Sequence, residues 1–306
     1  MIIRPRGLKP LLAASLVAAV VVVPALIAGQ RGDGAPAGRQ GGAGRGAPQA
    51  PAGPIPRLAN GKPDLSGLWA NPYTANMAAG KNVLDPKTRQ PLTFARQGEA
   101  LPDAKASATG NAARTYDLPY TEWGLAQWKK YDPVNDGDYA GNCLPFGLSR
   151  NINSPHGVQL IHHPDALAFL FEQNTWHTWV PVRPEFKWPA DLPATWNGSS
   201  LGRWDGDTLI IETTGFNGYT KLDTAGHPHS KQLTLTNTFR RLDSNTMEHT
   251  VTVHDPRAYT QDWMNVRTWR VKPATDVLME YSCDENNLGA IIEGAIKIWK
   301  IPEDID

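Results

Sequence analysis

The sequence predicts a mainly β protein whose strands close into an antiparallel up-and-down barrel. Short β-rich runs follow one another between residues 158 and 283, and turn residues separate most of them. No strand–helix–strand alternation indicates a parallel sheet, and no internal repeat indicates a propeller. Because closure leaves an antiparallel meander without exposed edge strands, a barrel is favoured, with a β-sandwich as the alternative.

The N-terminal segment is typical of a secretory signal peptide. Arg4, Arg6 and Lys9 precede an uncharged apolar run over residues 11–28, which ends near small residues. We therefore expect residues 1–29 to be a signal peptide. A run of this length also allows an uncleaved membrane anchor, which is the alternative.

The rest of the chain divides into a linker and one domain. Residues 30–56 are rich in Gly, Ala, Pro and Gln, a composition that predicts a disordered linker. Residues 57–306 then form a single β-barrel domain that begins with a long N-terminal arm over residues 57–155. One short helix is expected over residues 121–131, because Thr121 can cap its first turn and apolar residues are spaced three apart.

β-Prone segments bounded by turn residues predict about nine strands. They cover residues 158–162, 167–173, 175–182, 199–204, 207–214, 232–242, 246–254, 265–271 and 277–283. The Asp205-Gly206 pair between two of them is a strong hairpin signal, because a type I′ turn needs φ > 0 at both central positions. The strands are therefore expected to pair mainly with their neighbours in sequence.

Alternation along the predicted strands places several polar side chains on apolar faces. Asn237 and Arg241 share a face with leucine and phenylalanine, and His249 shares one with methionine and valine. If Ile210 faces the core, Glu212 faces it too and is a buried carboxylate that needs a partner. The barrel interior would then hold four convergent polar groups.

These groups suggest a small-molecule site, because a few convergent polar groups in a barrel interior are typical of one. Glu212 and His249 are the candidates for proton transfer, and Arg241 is the candidate anion holder. The alternative is structural: an Arg241–Glu212 ion pair, with His249 hydrogen-bonded by a neighbour, that only specifies the fold. Further candidates for contact with a substrate are Trp176, His177, Trp179, Trp204, Asn237, Glu172 and Glu280.

Charge and motifs exclude several function classes. Lys and Arg number 30, as do Asp and Glu, so nucleic-acid binding has no support. No P-loop, dinucleotide fingerprint or haem motif is present, and we expect no cofactor. His227 and His229 lack a third metal ligand that the sequence can name, so no metal is expected either. The expected partner is a small molecule, with a membrane only if the N-terminal segment stays uncleaved.

Two cysteines, Cys143 and Cys283, are the only ones in the chain. In an exported protein an even pair is most simply a disulfide, and two free thiols are the alternative. Together with the N-terminal segment, the pair predicts a periplasmic or secreted protein.

Several motifs resemble an uncharacterised family of exported proteins from soil bacteria, over roughly residues 57–290. They are Gly-Lys-Pro-Asp-Leu-Ser-Gly-Leu-Trp at 61–69, Cys-Leu-Pro-Phe-Gly-Leu at 143–148, Gly-Arg-Trp-Asp-Gly-Asp-Thr-Leu at 202–209 with Glu212-Thr213, and His254-Asp255-Pro256. The resemblance implies no particular activity. Gly67-Leu68-Trp69 also resembles the Gly-x-Trp motif in the first strand of lipocalin-like barrels, and so favours a lipocalin-like or calycin-like fold.

The sequence therefore supports two function hypotheses. The first is an exported barrel that binds or converts a small aromatic, terpenoid-like or sugar-like molecule in an aromatic-lined pocket. Conversion would proceed by cofactor-independent acid–base chemistry, as in a lyase, isomerase, cyclase or hydrolase. The second is a non-catalytic carbohydrate-binding or cell-envelope module, in which exposed tryptophans would stack against sugars.

Overall fold

The structure, a computed structural model, describes residues 51–79, 83–104, 114–302 and 304. The expected signal peptide at 1–29 and residues 30–50 of the expected linker lie outside the described residues. The strands are β1 (Gly67–Ala70), β2 (Val158–His163), β3 (Ala166–Phe171), β4 (His177–Pro181), β5 (Ser199–Asp205), β6 (Thr208–Thr214), β7 (Thr234–Arg241), β8 (Thr246–His254) and β9 (Trp263–Val271). The helices are α1 (Glu122–Lys130), α2 (Leu148–Ile152) and α3 (Cys283–Ile292).

The nine strands form one antiparallel sheet in the order β4-β3-β2-β1-β9-β8-β7-β6-β5. The sheet curves into a nearly closed barrel, which confirms the predicted fold class. The edge strands β4 and β5 approach each other without a hydrogen-bonded ladder. At this seam Gly202 lies so close to β4 that a Cβ atom there would come within 2.9 Å of Val182 Cγ2. A glycine is therefore what lets the two edges meet.

The predicted helix is confirmed as α1, and its N-terminus has the expected cap. The hydroxyl of Thr121 accepts a hydrogen bond from the backbone N of Gly124 at 3.1 Å. This bond satisfies one of the amide groups that the first helical turn leaves without a partner.

The inward-facing residues of β7 and β8 are those that alternation predicts. Asn237, Arg241 and His249 are buried on the inner face, while the intervening threonines face outward and are largely half-buried. The apolar residues that complete the inner rows beside them are Leu235, Phe239, Met247, Val251 and Val253.

The interior position expected for Glu212 is wrong. In the pairing of β6 with β7, Ile211 lies opposite Asn237, whereas Glu212 lies opposite Thr236 in the outer row. Leu209 and Ile211 are accordingly buried, and Glu212 is exposed. The register thus turns the face that carries Glu212 toward solvent, because adjacent residues of a strand point to opposite sides.

The strand expected over residues 277–283 is also absent from the structure. The edge of β9 that it would need is taken by β1, where Trp69 pairs with Val271. Residues 277–282 instead form an irregular segment in which Glu280 is exposed, and α3 begins at Cys283. The disulfide between Cys143 and Cys283 is confirmed, so it ties the N-terminal arm to a helix rather than to a strand.

Residues 51–56, the part of the predicted linker that the structure describes, contact the domain. Gly53 N donates to Ser244 Oγ at 2.7 Å, and Ser244 N donates back to Gly53 O at 3.0 Å. This pairing anchors the start of the described chain on the turn between β7 and β8. Among the described residues no helix has the length and apolar character needed to cross a membrane.

Two ends of the barrel can be distinguished. The turn end carries the short connections at 164–165, 206–207 and 242–245. The loop end carries the long connection at 215–233, and α1 and the arm pack there beside residues 255–262. The two ends hold different parts of the candidate site.

Candidate functional site

The predicted interior pair of His249 and Asn237 is brought together in the barrel. His249 Nε2 donates to Asn237 Oδ1 at 2.9 Å, and the imidazole stacks on Phe239 with ring centroids 4.6 Å apart. Trp269 covers a second side at 5.3 Å. Burial, together with the nearby Arg267, holds the pKa of His249 well below its usual value, so the imidazole is neutral.

Arg267 is an interior residue that the sequence analysis missed. It lies opposite His249 on β9, and its Nε donates to Asn265 Oδ1 at 2.9 Å. Asn265 in turn donates to the carbonyl of Met77 at 3.1 Å. Burial lowers the pKa of the Arg267 guanidinium to about 10, partly opposed by Asp223. In β9 the alternation of side chains places Asn265 and Arg267 on the same face as Trp263 and Trp269. This pattern could have identified both polar residues as interior ones.

Arg241 closes the turn end and does not pair with Glu212. Its guanidinium donates to the backbone carbonyls of Asp64, Asp243 and Ser244 and lies 5.0 Å from the ring of Trp69. Burial lowers its pKa. These contacts hold the opening segment of the domain against the turn end. Because the guanidinium is bound to backbone carbonyls, it is not placed to hold an anion in the interior, and it forms no ion pair with the exposed Glu212.

The other predicted contact residues do not surround one pocket. Trp176 and Trp204 are half-buried and pack against the core. His177 and Trp179 lie on the outer face of β4, and the Trp179 side chain is 55% exposed. Glu172 accepts a hydrogen bond from Gly157 N at 3.3 Å, a contact that fixes a loop. Of this group, Asn237 alone lines the interior polar cluster.

A buried charged network at the loop end was also missed. His227 Nδ1 lies 2.6 Å from Asp223 Oδ2, and its Nε2 lies 3.1 Å from Asp117 Oδ2. Burial disfavours the imidazolium, but Asp223 and Asp117 outweigh it and raise the pKa of His227 to about 10. The indole of Trp128 stacks on the imidazole at 4.4 Å. The network therefore holds a positive charge between two carboxylates at neutral pH.

His227 and His229 do not form a metal clip. His229 Nε2 instead lies 2.7 Å from the hydroxyl of Thr220, and burial lowers the pKa of His229 to about 4. Within the described parts of the chain no group of three or more His, Cys, Asp or Glu side chains is placed to hold a metal ion.

A cavity of about 680 Å³ lies at the end of α1. Three parts of the chain build its walls: the end of α1 with the loop that follows, the connection between β6 and β7, and residues 297–302, which we call the C-terminal strap. The aromatic side chains of the lining are Tyr131, Tyr139, Tyr219 and Trp299, and the charged ones are Lys130, Lys221, Lys297, Lys300, Asp132 and Asp136.

The rings of the wall contact one another across sequence-distant segments. The centroid of Trp299 lies 6.0 Å from that of Tyr139 and 6.3 Å from that of Tyr219. Because these residues come from separate loops, no period in the sequence could have grouped them. Their contacts make a preformed apolar surface next to charged groups, which is the usual composition of a small-molecule site.

Lys221 is a lysine of the cavity lining that lies against one of its aromatic rings. Its Nζ lies 5.8 Å from the ring centroid of Tyr131, and no hydrogen bond or ion pair joins it to a described residue. Burial and then the neighbouring Lys130 lower the pKa of Lys221 to about 8, against a weaker opposing effect of Asp138. Asp138 is itself engaged by Arg150 at 3.1 Å. Lys221 is therefore a half-buried amine that carries its charge at neutral pH and loses its proton near pH 8.

The C-terminal strap is fixed at both ends. Asn142 donates from its side chain to Lys297 O at 2.9 Å and accepts from Trp299 N at 3.2 Å. Beyond the strap, Asp304 Oδ1 accepts from Arg257 Nη2 at 2.9 Å. The disulfide holds α3, which precedes the strap, so the cavity wall depends on several tertiary contacts.

Comparisons with known proteins give no relative for this site. The chain matches no protein-family model, no curated protein and no solved structure. The resemblance to an exported soil-bacterial family stays a prediction.

Proposed function

We propose that this protein binds a small organic anion built on a ring, in the cavity between α1, the β6–β7 connection and the C-terminal strap. The observation that supports this most is the position of Lys221, a half-buried cation without an acidic partner among the described residues, at an aromatic-walled cavity of about 680 Å³. Cavities of roughly 300–1,000 Å³ are typical of small-molecule sites.

The charge of the lining favours an anion. Four lysines and two aspartates line the cavity, and a carboxylate or sulfonate beside Lys221 would offset the cost of burying its ammonium group. The rings of Tyr139, Tyr219 and Trp299 would stack against the apolar part of the ligand.

Lys221 is also the group best suited to proton transfer in this site. A general base works best when its pKa lies near the working pH, and the pKa of Lys221 is about 8. If the protein converts its ligand, we expect acid–base chemistry at this amine rather than at Glu212 or His249. Glu212 is exposed, and His249 is packed among aromatic rings inside the barrel.

We further propose that the protein acts in the periplasm or outside the cell. The disulfide is compatible with that location, and the N-terminal sequence is typical of an export signal.

A calorimetric titration tests the proposed ligand class. We expect 4-methylbenzoate to bind and the neutral analogue 4-methylbenzamide to bind much more weakly, because only the carboxylate compensates Lys221. Lys221→Met should remove this preference for the anion. The control Lys187→Met removes an exposed lysine that does not line the cavity and should retain the preference. Equal binding of both compounds, or full binding by Lys221→Met, would count against the proposal.

Tryptophan exposure does not favour the carbohydrate-binding alternative. All eleven tryptophans lie in the described parts of the chain, and Trp179 is the only exposed one. One isolated indole offers a smaller stacking surface than a row of several would.

A further inference from the structure

We propose that Lys221 forms an imine with the carbonyl carbon of an anionic aldehyde or ketone bound in the cavity, an inference that rests on the proposed function. Three features of the described residues carry it: the anchoring of the Lys221 backbone, the environment of its amine, and the cavity of about 680 Å³ that Lys221 lines, which has room for a ring-sized carbonyl compound.

The backbone of Lys221 is held in place on both sides. Its amide N donates to Tyr139 Oη at 3.0 Å. The preceding residue, Thr220, is buried and hydrogen-bonded through its hydroxyl to His229 at 2.7 Å. A fixed Cα limits the positions that the amine can reach, and this favours one orientation for attack on a bound carbonyl group.

No described carboxylate forms an ion pair with the Lys221 amine. The Tyr131 ring lies 5.8 Å from Nζ, and the buried Tyr131 hydroxyl has no hydrogen-bond partner among the described residues. Burial raises the pKa of the Tyr131 hydroxyl well above its usual value. This hydroxyl therefore stays protonated and does not supply a negative charge to pair with Lys221.

A useful fraction of the Lys221 amine is neutral under mild conditions. With a pKa of about 8, about half of it is unprotonated at pH 8, whereas an ordinary lysine with a pKa near 10.4 is almost fully protonated. Only the neutral form carries the lone pair that attacks carbon, so desolvated lysines beside other cations are well suited to Schiff-base formation.

The chemical step balances without an oxidant or reductant. The lone pair of Nζ forms a bond to the carbonyl carbon, and a proton moves from nitrogen to oxygen to give a carbinolamine. The carbinolamine hydroxyl gains a proton and leaves as water, the C=N bond forms, and the nitrogen loses its remaining proton. One amine and one carbonyl compound thus give one imine and one water.

Reductive trapping tests this step on the full mature protein. The probe is 4-formylbenzoate at limiting concentration, with sodium cyanoborohydride to convert any imine to a stable secondary amine. For attack by Lys221 the aldehyde lies at its amine, and the carboxylate at the opposite end of the ring lies toward the other lysines of the lining, Lys130, Lys297 and Lys300. We expect peptide mass mapping to find the reduced adduct at Lys221 at a level at least about tenfold above that at exposed Lys187, because the bound aldehyde is held beside the Lys221 amine.

Two variants keep the result interpretable. Lys221→Arg retains the positive charge but has no amine that can form an imine, so it should lose the dominant adduct. Lys187→Arg should retain it. An adduct spread evenly over the exposed lysines, or one that survives Lys221→Arg at the same level, would overturn the inference.

A parallel titration with 4-methylbenzoate separates this inference from the proposed function. If 4-methylbenzoate binds but 4-formylbenzoate gives no Lys221 adduct, imine formation is refuted and anion binding stands. If neither compound binds, both proposals fail. Binding of 4-methylbenzoate together with a Lys221 adduct of 4-formylbenzoate supports both.

Discussion

The imidazole Nδ1 of His227 lies 2.6 Å from Asp223 Oδ2, and both side chains are fully buried. Asp223 also accepts a hydrogen bond from the backbone N of Met77 at 2.7 Å, so this carboxylate joins the N-terminal arm to the connection between β6 and β7. The pair is therefore a central tertiary contact at the loop end of the barrel.

We expect Asp223→Asn to destabilise the protein by about 3–5 kcal/mol, because removing one partner leaves the buried imidazolium incompletely compensated. Urea unfolding followed by circular dichroism measures the change. The control is Asp207→Asn, which removes an exposed ion pair with Arg57 that solvent already screens. A loss for Asp223→Asn no larger than that of the control would mean that the pair contributes little.

The same histidine predicts a loss of stability toward alkaline pH. Its pKa rises from 6.5 to about 10 on folding, so its contribution is fully present below pH 6.5 and is lost as the pH rises through about 10. Lys221 has a lowered pKa of about 8 and acts in the opposite direction above that pH. The clearest window is therefore pH 6.5–8.

Within that window His227 lowers the free energy of unfolding by about 1–2 kcal/mol as the pH rises, and the lowered pKa values of His229 and His249 partly offset this fall. Urea titrations at several pH values measure this slope, and NMR should show His227 unchanged and still protonated at pH 8. A flat stability profile together with deprotonation of His227 below pH 8 would contradict the assignment.

Closure of the barrel should depend on Gly202. A Cβ atom at this position would lie 2.9 Å from Val182 Cγ2 and 3.2 Å from Val180 Cγ1. We expect Gly202→Val to cost about 1–3 kcal/mol, because the added atoms force β4 and β5 apart. Thermal unfolding measures the cost. Gly289→Ala in α3 is the matched control, since a Cβ atom there meets nothing within 4 Å, and it should be neutral or slightly stabilising.

Loss of the disulfide should affect both stability and the cavity. Cys143 and Cys283 are 140 residues apart in sequence, and removing such a cross-link typically costs about 2–5 kcal/mol. We expect the Cys143→Ser, Cys283→Ser double variant to unfold at lower urea concentration and to bind 4-methylbenzoate more weakly, because α3 and the C-terminal strap lose an anchor. The denatured, unreduced wild type should show no free thiol, and two titratable thiols would contradict the bond.

The sequence predicted most of the barrel because the signals involved are local. Alternation along β7 and β8 identified Asn237, Arg241 and His249 as inward-facing, and a capping threonine located α1. Glu212 went wrong because alternation defines two faces of a strand but does not say which one is inside. That choice was made by the register of β6 against β7, in which Ile211 lies opposite Asn237.

By itself, the sequence determined the strand order along the chain, the mainly antiparallel pairing, the disulfide and the inner rows of β7 and β8. Only the tertiary structure decided that β1 occupies the edge of β9, and that an aromatic-walled cavity lies outside the barrel interior beside Lys221. The physical reason is distance along the chain. Strand periodicity reports neighbours within a few residues, whereas Lys221, Tyr139 and Trp299 meet only after the arm, the β6–β7 connection and the C-terminal strap have packed together.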